Sequence, residues 1–213
     1  MVSELENICK NFKFKDKILR IIPFGSGHIN DTFKVETDNK NYVLQRINHS
    51  IFKDVKGLTN NIVQFTKHLR DKVISQKLKV EVLFAIETTK GNFVFKDDEG
   101  SYWRIFLFIE NSKSFDLVSN ANLAYEGGKA YGQFLLMLDN FPAEKLLETI
   151  PHFHEIQFRI DNFNRSVEKD HTNRAEVAQQ EIDFILHRLD EMKKIQRLIA
   201  ANLIPLRVTH NDT

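Results

Sequence analysis

Cysteine is nearly absent, since the 213 residues contain only Cys9. A single thiol cannot form an internal disulfide, and it matches no metal-binding spacing. The sequence therefore excludes a disulfide-stapled scaffold and a cysteine-based metal site. We expect Cys9 to be a structural thiol in a reducing compartment. A chain of this length buries about 70% of its unfolded surface, so an apolar core can hold it together.

An excess of charge of one sign is also missing. Lys and Arg total 30 and Asp and Glu total 29, which gives a net charge of +1. No basic field predicts binding to nucleic acid or to an anionic membrane. The longest apolar run, Ile105–Ile109, is far shorter than a membrane span. Because the first residues carry acids and no apolar segment, they do not read as a signal peptide, and we expect a soluble, cytoplasmic protein.

Strand patterns dominate the first half of the chain. The predicted strands are Ile18–Phe24, Asp31–Thr37, Tyr42–Ile47, Lys79–Glu87, Asn92–Phe95 and Tyr102–Ile109. Short connections predict that they form an antiparallel sheet, which we count as about five strands. Between them, Val55–Lys72 carries apolar residues at helical spacing and predicts one inserted helix.

Helical patterns dominate from about Asn120. We predict one helix over Ala121–Leu138 and a long helix that Thr172 caps and that runs to about Asn202. Leu206–Val208 reads as a short strand after Pro205. The change of pattern near Glu110 predicts a boundary between a lobe of residues 1–110 and a lobe of residues 111–213.

A pair of glycines follows the first predicted strand in the segment Gly25-Ser26-Gly27-His28-Ile29-Asn30. A G-x-G segment lets backbone amides approach phosphate oxygens, because no Cβ intervenes. A Rossmann loop leads from a strand into a helix. This loop joins strand to strand, as the loop over the ATP phosphates does in protein kinases. An ordinary hairpin would use the same glycines, so the loop alone does not establish a phosphate site.

Two further segments give the loop a context. Thr209-His210-Asn211-Asp212 contains an H-x-D pattern, which in kinases supplies an Asp that orients the nucleophilic hydroxyl and accepts its proton. Residues 103–111 (WRIFLFIEN) end where the strand pattern gives way to helices, the position of a kinase hinge. The H-x-D segment could instead be a polar tail, and the second segment could be an ordinary core strand. However, the glycine loop, the hinge segment and the H-x-D motif follow one another in the order found in kinases.

With these motifs the chain resembles the aminoglycoside phosphotransferase superfamily from about residue 18 to the last residue. It is most similar to the N-acetylhexosamine 1-kinase group, in the segments GSGHINDTF, YVLQRIN, YWRIFLFIENSKSFD and LIPLRVTHNDT and in the FH and R of PHFHEIQFR. The resemblance implies an α+β, protein-kinase-like fold of two lobes, with a five-stranded antiparallel sheet and one helix before an incomplete helical lobe. It implies transfer of the γ-phosphoryl group of ATP to a small-molecule hydroxyl, with a sugar as acceptor and Mg²⁺ as cofactor.

The resemblance also implies roles for individual residues. Asp212 is the implied catalytic base, with His210 and Asn211 shaping its loop. The residues implied to hold the nucleotide are Gly25, Ser26, Gly27, Gln45, Arg46, Phe108, Ile109 and Glu110. The residues implied to contact the acceptor are His28 and Asn30.

The sequence departs from the kinase pattern at the phosphate-binding lysine. Kinases pair a Lys on the third strand with a Glu on the following helix. The aligned position here is Gln45, beside Arg46, and no Glu occurs between Asn48 and Leu78. Strand alternation places Gln45 and Arg46 on opposite faces. The sequence does not choose between them as the phosphate ligand.

A second departure concerns the metal. The kinase loop needs a metal-binding Asn five residues after its Asp, and Thr213 is the last residue here. The expected metal ligands therefore lie beyond Thr213, and no metal ligand is assigned within this chain. We expect the 213-residue polypeptide to act as a C-terminally truncated fragment with little or no kinase activity.

Other functions remain open from the sequence. The acceptor could instead be an aminoglycoside, a macrolide, choline or homoserine. A second class is a non-catalytic nucleotide-binding module, which fits the missing Lys–Glu pair. A third is a structural domain whose glycine hairpin binds no nucleotide. The sequence indicates neither the acceptor nor the oligomeric state.

Overall fold

The computed structural model describes residues 2–115 and 117–210. They form two compact units, the first running up to Thr149 and resuming at Arg207, and the second covering Ile150–Leu206. The predicted boundary near Glu110 concerns lobes rather than these units, and it stays a prediction. Within the described residues, no helix combines the length and apolarity that crossing a bilayer requires.

The first unit is built on an antiparallel sheet, as the short connections predict. Its six strands within the described residues are β1 (Ile18–Pro23), β2 (Asp31–Thr37), β3 (Tyr42–Ile47), β4 (Ala85–Ile86), β5 (Phe95–Lys96) and β6 (Tyr102–Leu107). The strand order is β1-β2-β3-β6-β4, and β5 also pairs with β6. The sheet thus has one strand more than the expected five, and two of its strands contain only two residues.

Helices form the rest of the regular structure within the described residues. The first unit contains α1 (Val2–Cys9), α2 (Val55–Ser75), α3 (Ala121–Met137) and a 3₁₀ turn at Ala143–Lys145. The second unit contains α4 (Ile156–Lys169), α5 (Gln179–Leu186), α6 (Leu189–Met192) and α7 (Lys194–Ala200). Helices α2 and α3 were predicted from their apolar periodicity, whereas α1 and α4 were not.

One face of the sheet packs against α1 and forms the main core. Val35, Leu44 and Ile105 are fully buried there, at 0% exposure. Cys9 of α1 belongs to the same cluster, and burial raises the pKa of its thiol to about 12. The thiol therefore remains protonated at neutral pH, as suits a structural cysteine.

A second core lies between α2 and α3. It contains the buried residues Leu69, Met137, Leu138 and Phe141. Leu78, Val80 and Val82 also pack here rather than in the sheet, and Arg70 Nη1 donates to the Leu83 carbonyl at 2.9 Å. The predicted strand Lys79–Glu87 is therefore too long. Only β4 pairs with the sheet, because the preceding residues are held by the second core.

The prediction of one long helix from Thr172 to Asn202 is wrong. The chain after α4 turns at Asp170, whose Oδ1 accepts from the amides of Arg174 (2.7 Å) and Ala175 (3.1 Å), and helix resumes only in α5. After α5, His187 Nδ1 lies 2.6 Å from the Asp183 carbonyl. Side chains that bond to nearby backbone groups compete with helix continuation and favour such breaks.

The prediction of a strand over Leu206–Val208 is also wrong. These residues adopt no regular structure. Val208 instead packs on the second core, and Arg207 Nη1 donates to the Asp139 carbonyl at 2.8 Å. The segment that leads to the H-x-D motif is thus fixed to the chain just after α3.

Candidate functional site

The glycine loop connects β1 directly to β2. The Phe24 amide donates to the Thr32 carbonyl at 2.9 Å and closes the hairpin. Gly25 has φ +83°, a conformation that L side chains rarely adopt. Gly25, Ser26 and Gly27 are exposed, and added Cβ atoms at the two glycines would meet nothing within 4 Å. The loop therefore offers open backbone to a ligand.

The two candidate acceptor residues belong to the same loop. His28 is exposed. Asn30 is half-buried, and its Oδ1 accepts from the Asn48 amide at 2.9 Å. This bond ties the end of the loop to the residue after β3, so Asn30 has a structural role whatever else it contacts. Acceptor binding by His28 and Asn30 stays a prediction.

The two loop glycines give a matched test of phosphate binding. Gly27 has no positive φ and open space around its Cβ position, so Gly27→Ala should change the unfolding free energy by less than about 0.5 kcal/mol. It should weaken ATP binding by about tenfold, because a methyl group keeps phosphate from the amides. Isothermal titration calorimetry measures the affinity. Gly25→Ala should instead destabilise the unliganded protein by about 1 kcal/mol. Unchanged ATP affinity in Gly27→Ala would contradict the assignment.

Gln45 and Arg46 lie on opposite faces of β3, as strand alternation requires. Arg46 forms an ion pair with Asp31 (Nη2 to Oδ2, 2.5 Å), and its guanidinium lies 5.9 Å from the centre of the Trp103 ring. Trp103 belongs to the core that includes α1. Arg46 thus has an anionic partner already, on the face of the sheet that α1 covers.

Gln45 belongs to a polar row that crosses three strands. Thr32, Gln45 and Arg104 are direct cross-strand partners, so their side chains share one face. Gln45 Nε2 donates to Thr32 Oγ1 at 3.1 Å, and Arg104 Nε donates to Gln45 Oε1 at 3.1 Å. We call these three residues the polar row. It begins at Thr32, the residue whose carbonyl closes the glycine hairpin.

Arg104 is a candidate that the sequence reasoning missed. It is only 8% exposed, and burial lowers the pKa of its guanidinium to about 10. Its Nη1 is buried and has no hydrogen-bond partner in the part of the chain that the structure describes. The available signal was a lone arginine inside the apolar strand YWRIFL, which is unusual because buried arginines are normally paired.

The predicted hinge follows β6 and touches the base of the glycine loop. The ring of Phe108 packs edge-on against Phe24, with centroids 5.5 Å apart. Lys34 Nζ lies 4.6 Å from the centre of the Phe108 ring, so Lys34 is a second nearby cation that the sequence did not single out. The structure therefore brings two of the predicted nucleotide-binding segments together.

The remaining hinge residues are held by local bonds. The Phe108 amide donates to the Asn41 carbonyl at 2.9 Å. Glu110 Oε1 accepts from Asn41 Nδ2 at 2.8 Å, and the Ile109 carbonyl accepts from Ser112 Oγ at 2.6 Å. The two bonds to Asn41 fix the hinge to the turn before β3. Adenine binding by Phe108, Ile109 and Glu110 stays a prediction.

Of the H-x-D motif, His210 lies within the described residues, and Asn211 and Asp212 lie outside them. The His210 ring packs edge-on against Tyr131 and Phe134 of α3, at 6.4 Å from each ring centre. The motif therefore starts from a position anchored on α3. The roles of Asn211 and Asp212 stay predictions.

No cluster of three or more His, Cys, Asp or Glu side chains suited to a metal ion occurs within residues 2–115 and 117–210. Two cavities of about 280 and 240 Å³ lie elsewhere. The first is lined by residues of α2, α3 and their flanks, and the second by residues around β5. Neither cavity is lined by a predicted site residue.

Residues 20–213 match the sequence profile of the phosphotransferase enzyme family (APH), so the chain belongs to that family. The fold is similar to that of spectinomycin phosphotransferase, solved in complex with ADP and spectinomycin, with a TM-score of 0.59 and 14% sequence identity. The match covers 92% of this chain and 58% of that protein, so the chain spans just over half of its length. The predicted α+β, kinase-like fold class is confirmed.

Proposed function

We propose that this chain is the nucleotide-binding part of an ATP-dependent small-molecule kinase whose acceptor is a sugar of the N-acetylhexosamine type. Membership of the phosphotransferase family over residues 20–213 is the observation that carries the proposal. The exposed glycine loop and its contact with the hinge through Phe24 and Phe108 support it. The sugar acceptor rests on the resemblance of the motifs alone. Spectinomycin phosphotransferase shows that a related fold takes another small molecule.

In the proposed mechanism the chain positions the reactants. The amides of Gly25–Gly27 hold the phosphates, the backbone of 108–110 holds adenine, and the Asp212 carboxylate accepts the proton of the acceptor hydroxyl. The described residues do not fit a Mg²⁺ site, because they contain no suitable cluster of acidic or histidine side chains. The metal ligands are proposed to lie beyond Thr213, where a bound Mg²⁺ would neutralise the charge that develops on the transferring phosphoryl group.

Titration and transfer assays test the proposal on the 213-residue chain. We expect calorimetry to show binding of ATP and ADP. We expect a coupled assay with N-acetylhexosamines, spectinomycin, choline and homoserine to show little or no transfer, since the metal ligands are proposed to lie beyond Thr213. If the chain bound neither ATP nor ADP, the proposal would be refuted. Turnover in the usual kinase range of about 1–100 s⁻¹ would contradict the expected low activity.

A non-catalytic nucleotide-binding module is the second candidate. The observation in its favour is Gln45, which occupies the position of the usual phosphate-binding lysine. The same experiments separate the two functions. Two results together would favour the non-catalytic module. ATP binding would be unchanged when Mg²⁺ is chelated, and a longer polypeptide that includes the expected metal ligands would show no transfer.

A further inference from the structure

Arg104 is a buried cation without an anion in the described part of the chain. Among the described residues the guanidinium makes one hydrogen bond, from Nε to Gln45, and it lies 5.2 Å from the centre of the Phe106 ring. No Asp or Glu in residues 2–115 and 117–210 forms an ion pair with it. Its Nη1 is buried and unbonded within the same residues.

Such an arrangement is costly to the unliganded protein. Removing a cation from water carries a penalty of several kcal/mol, which only a well-placed anion and full hydrogen bonding offset. A neutral glutamine and an aromatic ring offset a part of it. The lowered pKa of Arg104 has desolvation as its cause. A residue that is poorly satisfied in this way points to a ligand that satisfies it.

The polar row connects this cation to the glycine loop. Thr32 and Gln45 are half-buried, whereas Arg104 is buried, so the row is partly open at its loop end and closed at β6. The same face carries Lys34, which pairs with Val43 in the sheet. An anion that lies under the glycine loop would meet this face at Thr32. It would not meet Arg46, which is on the other face with Asp31.

We propose that Arg104 binds a phosphate group of the nucleotide, in place of the strand lysine of other kinases, and that Gln45 holds its guanidinium in position. The inference rests on the proposed nucleotide-binding function. A guanidinium can donate two parallel hydrogen bonds to phosphate, which suits this role. A Gln–Arg pair on adjacent strands then replaces the missing Lys–Glu pair, whose members in other kinases lie on a strand and a helix.

The test compares ligands with and without phosphate. Arg104→Met removes the charge and retains much of the volume. We expect its dissociation constants for ATP and ADP to rise at least about tenfold, the effect of losing a charge-assisted hydrogen bond, while that for adenosine changes less than about twofold. Isothermal titration calorimetry on the 213-residue chain gives all three affinities. Arg104→Lys keeps the charge without the planar fork, so its loss of ATP affinity should be smaller than that of Arg104→Met.

Two controls separate this role from a structural one. Arg20→Met makes the same change on β1, at an exposed arginine that pairs with Glu36, and should leave the ratio of ATP to adenosine affinity unchanged. The melting temperature of unliganded Arg104→Met should equal or exceed that of the wild type, because it removes an unpaired buried charge.

The possible failures are distinguishable. Wild-type chain that binds none of the three ligands would overturn the proposed function and this inference together. Wild-type chain that binds ATP, with Arg104→Met weakening ATP and adenosine equally or neither of them, would overturn the inference alone. Loss of the fold in Arg104→Met would assign Arg104 to the core and would also overturn it.

Discussion

Leu44→Ala should lower the free energy of unfolding by about 3–4 kcal/mol, a large part of the total stability of a domain this size. Leu44 is at the centre of β3 and is fully buried. It pairs with Phe33 of β2 and Ile105 of β6, and it packs in the core that α1 completes. Truncation to alanine removes three carbon atoms from a core to which α1 and several strands contribute buried residues, so the cavity cannot close easily.

Urea unfolding followed by circular dichroism measures this effect. Leu19→Ala is a matched control, since Leu19 lies in strand β1 of the same sheet but is 62% exposed. We expect its effect to remain within about 0.5 kcal/mol. Equal effects of the two substitutions would contradict the packing described for the sheet.

Gly57→Ala should destabilise the first unit by about 1–3 kcal/mol, even though alanine favours helix more than glycine does. A Cβ at Gly57 would lie 2.3 Å from Asp54 Oδ2 and 2.9 Å from Leu147 Cδ1. Asp54 caps α2 by accepting from the Gly57 amide at 2.8 Å. The added methyl group must therefore displace the cap, the neighbouring leucine, or both.

Gly128→Ala in α3 serves as a control, because we expect it to change the free energy of unfolding in the opposite direction. Its Cβ would meet nothing within 4 Å, so the substitution should stabilise the helix by about 0.5–1 kcal/mol through its lower backbone entropy in the unfolded chain. Thermal unfolding of both variants measures the difference. A stabilising effect of Gly57→Ala would show that Asp54 and Leu147 relax without cost.

Two local signals made the central strands predictable from sequence: polar and apolar residues alternate in β2, and a turn cluster at residues 38–41 precedes β3. The predicted bounds of β2 and β3 agree with the structure at every residue. The segment over Lys79–Glu87 also reads as a strand, but Val80 and Val82 pack on the second core rather than in the sheet. Periodicity indicates that residues are buried and does not indicate which partner buries them.

In the candidate site, too, some residues could be predicted from the sequence and others could not. The glycine loop and the hinge could be found from the sequence, because glycine spacing and motif order are local features. A lone arginine in an apolar strand is visible in the sequence, but the place of Arg104 in the site is not, because its position beside Gln45 and Thr32 depends on the register of three strands. Register is set by the assembled sheet, and one sequence alone does not display it.

The residues before β1 determine how far this protein can be shortened at its N-terminus for expression. The family match begins at residue 20, yet Phe12 pairs with Thr88 and the Lys13 amide donates to the Glu87 carbonyl at 2.7 Å. Together with α1 these residues cover the apolar face of the sheet. They also bond to the residues that follow β4, the strand at one edge of the sheet. An expressed segment cut at the family boundary would present that bare face to its neighbours and precipitate, so a soluble version has to keep the first helix.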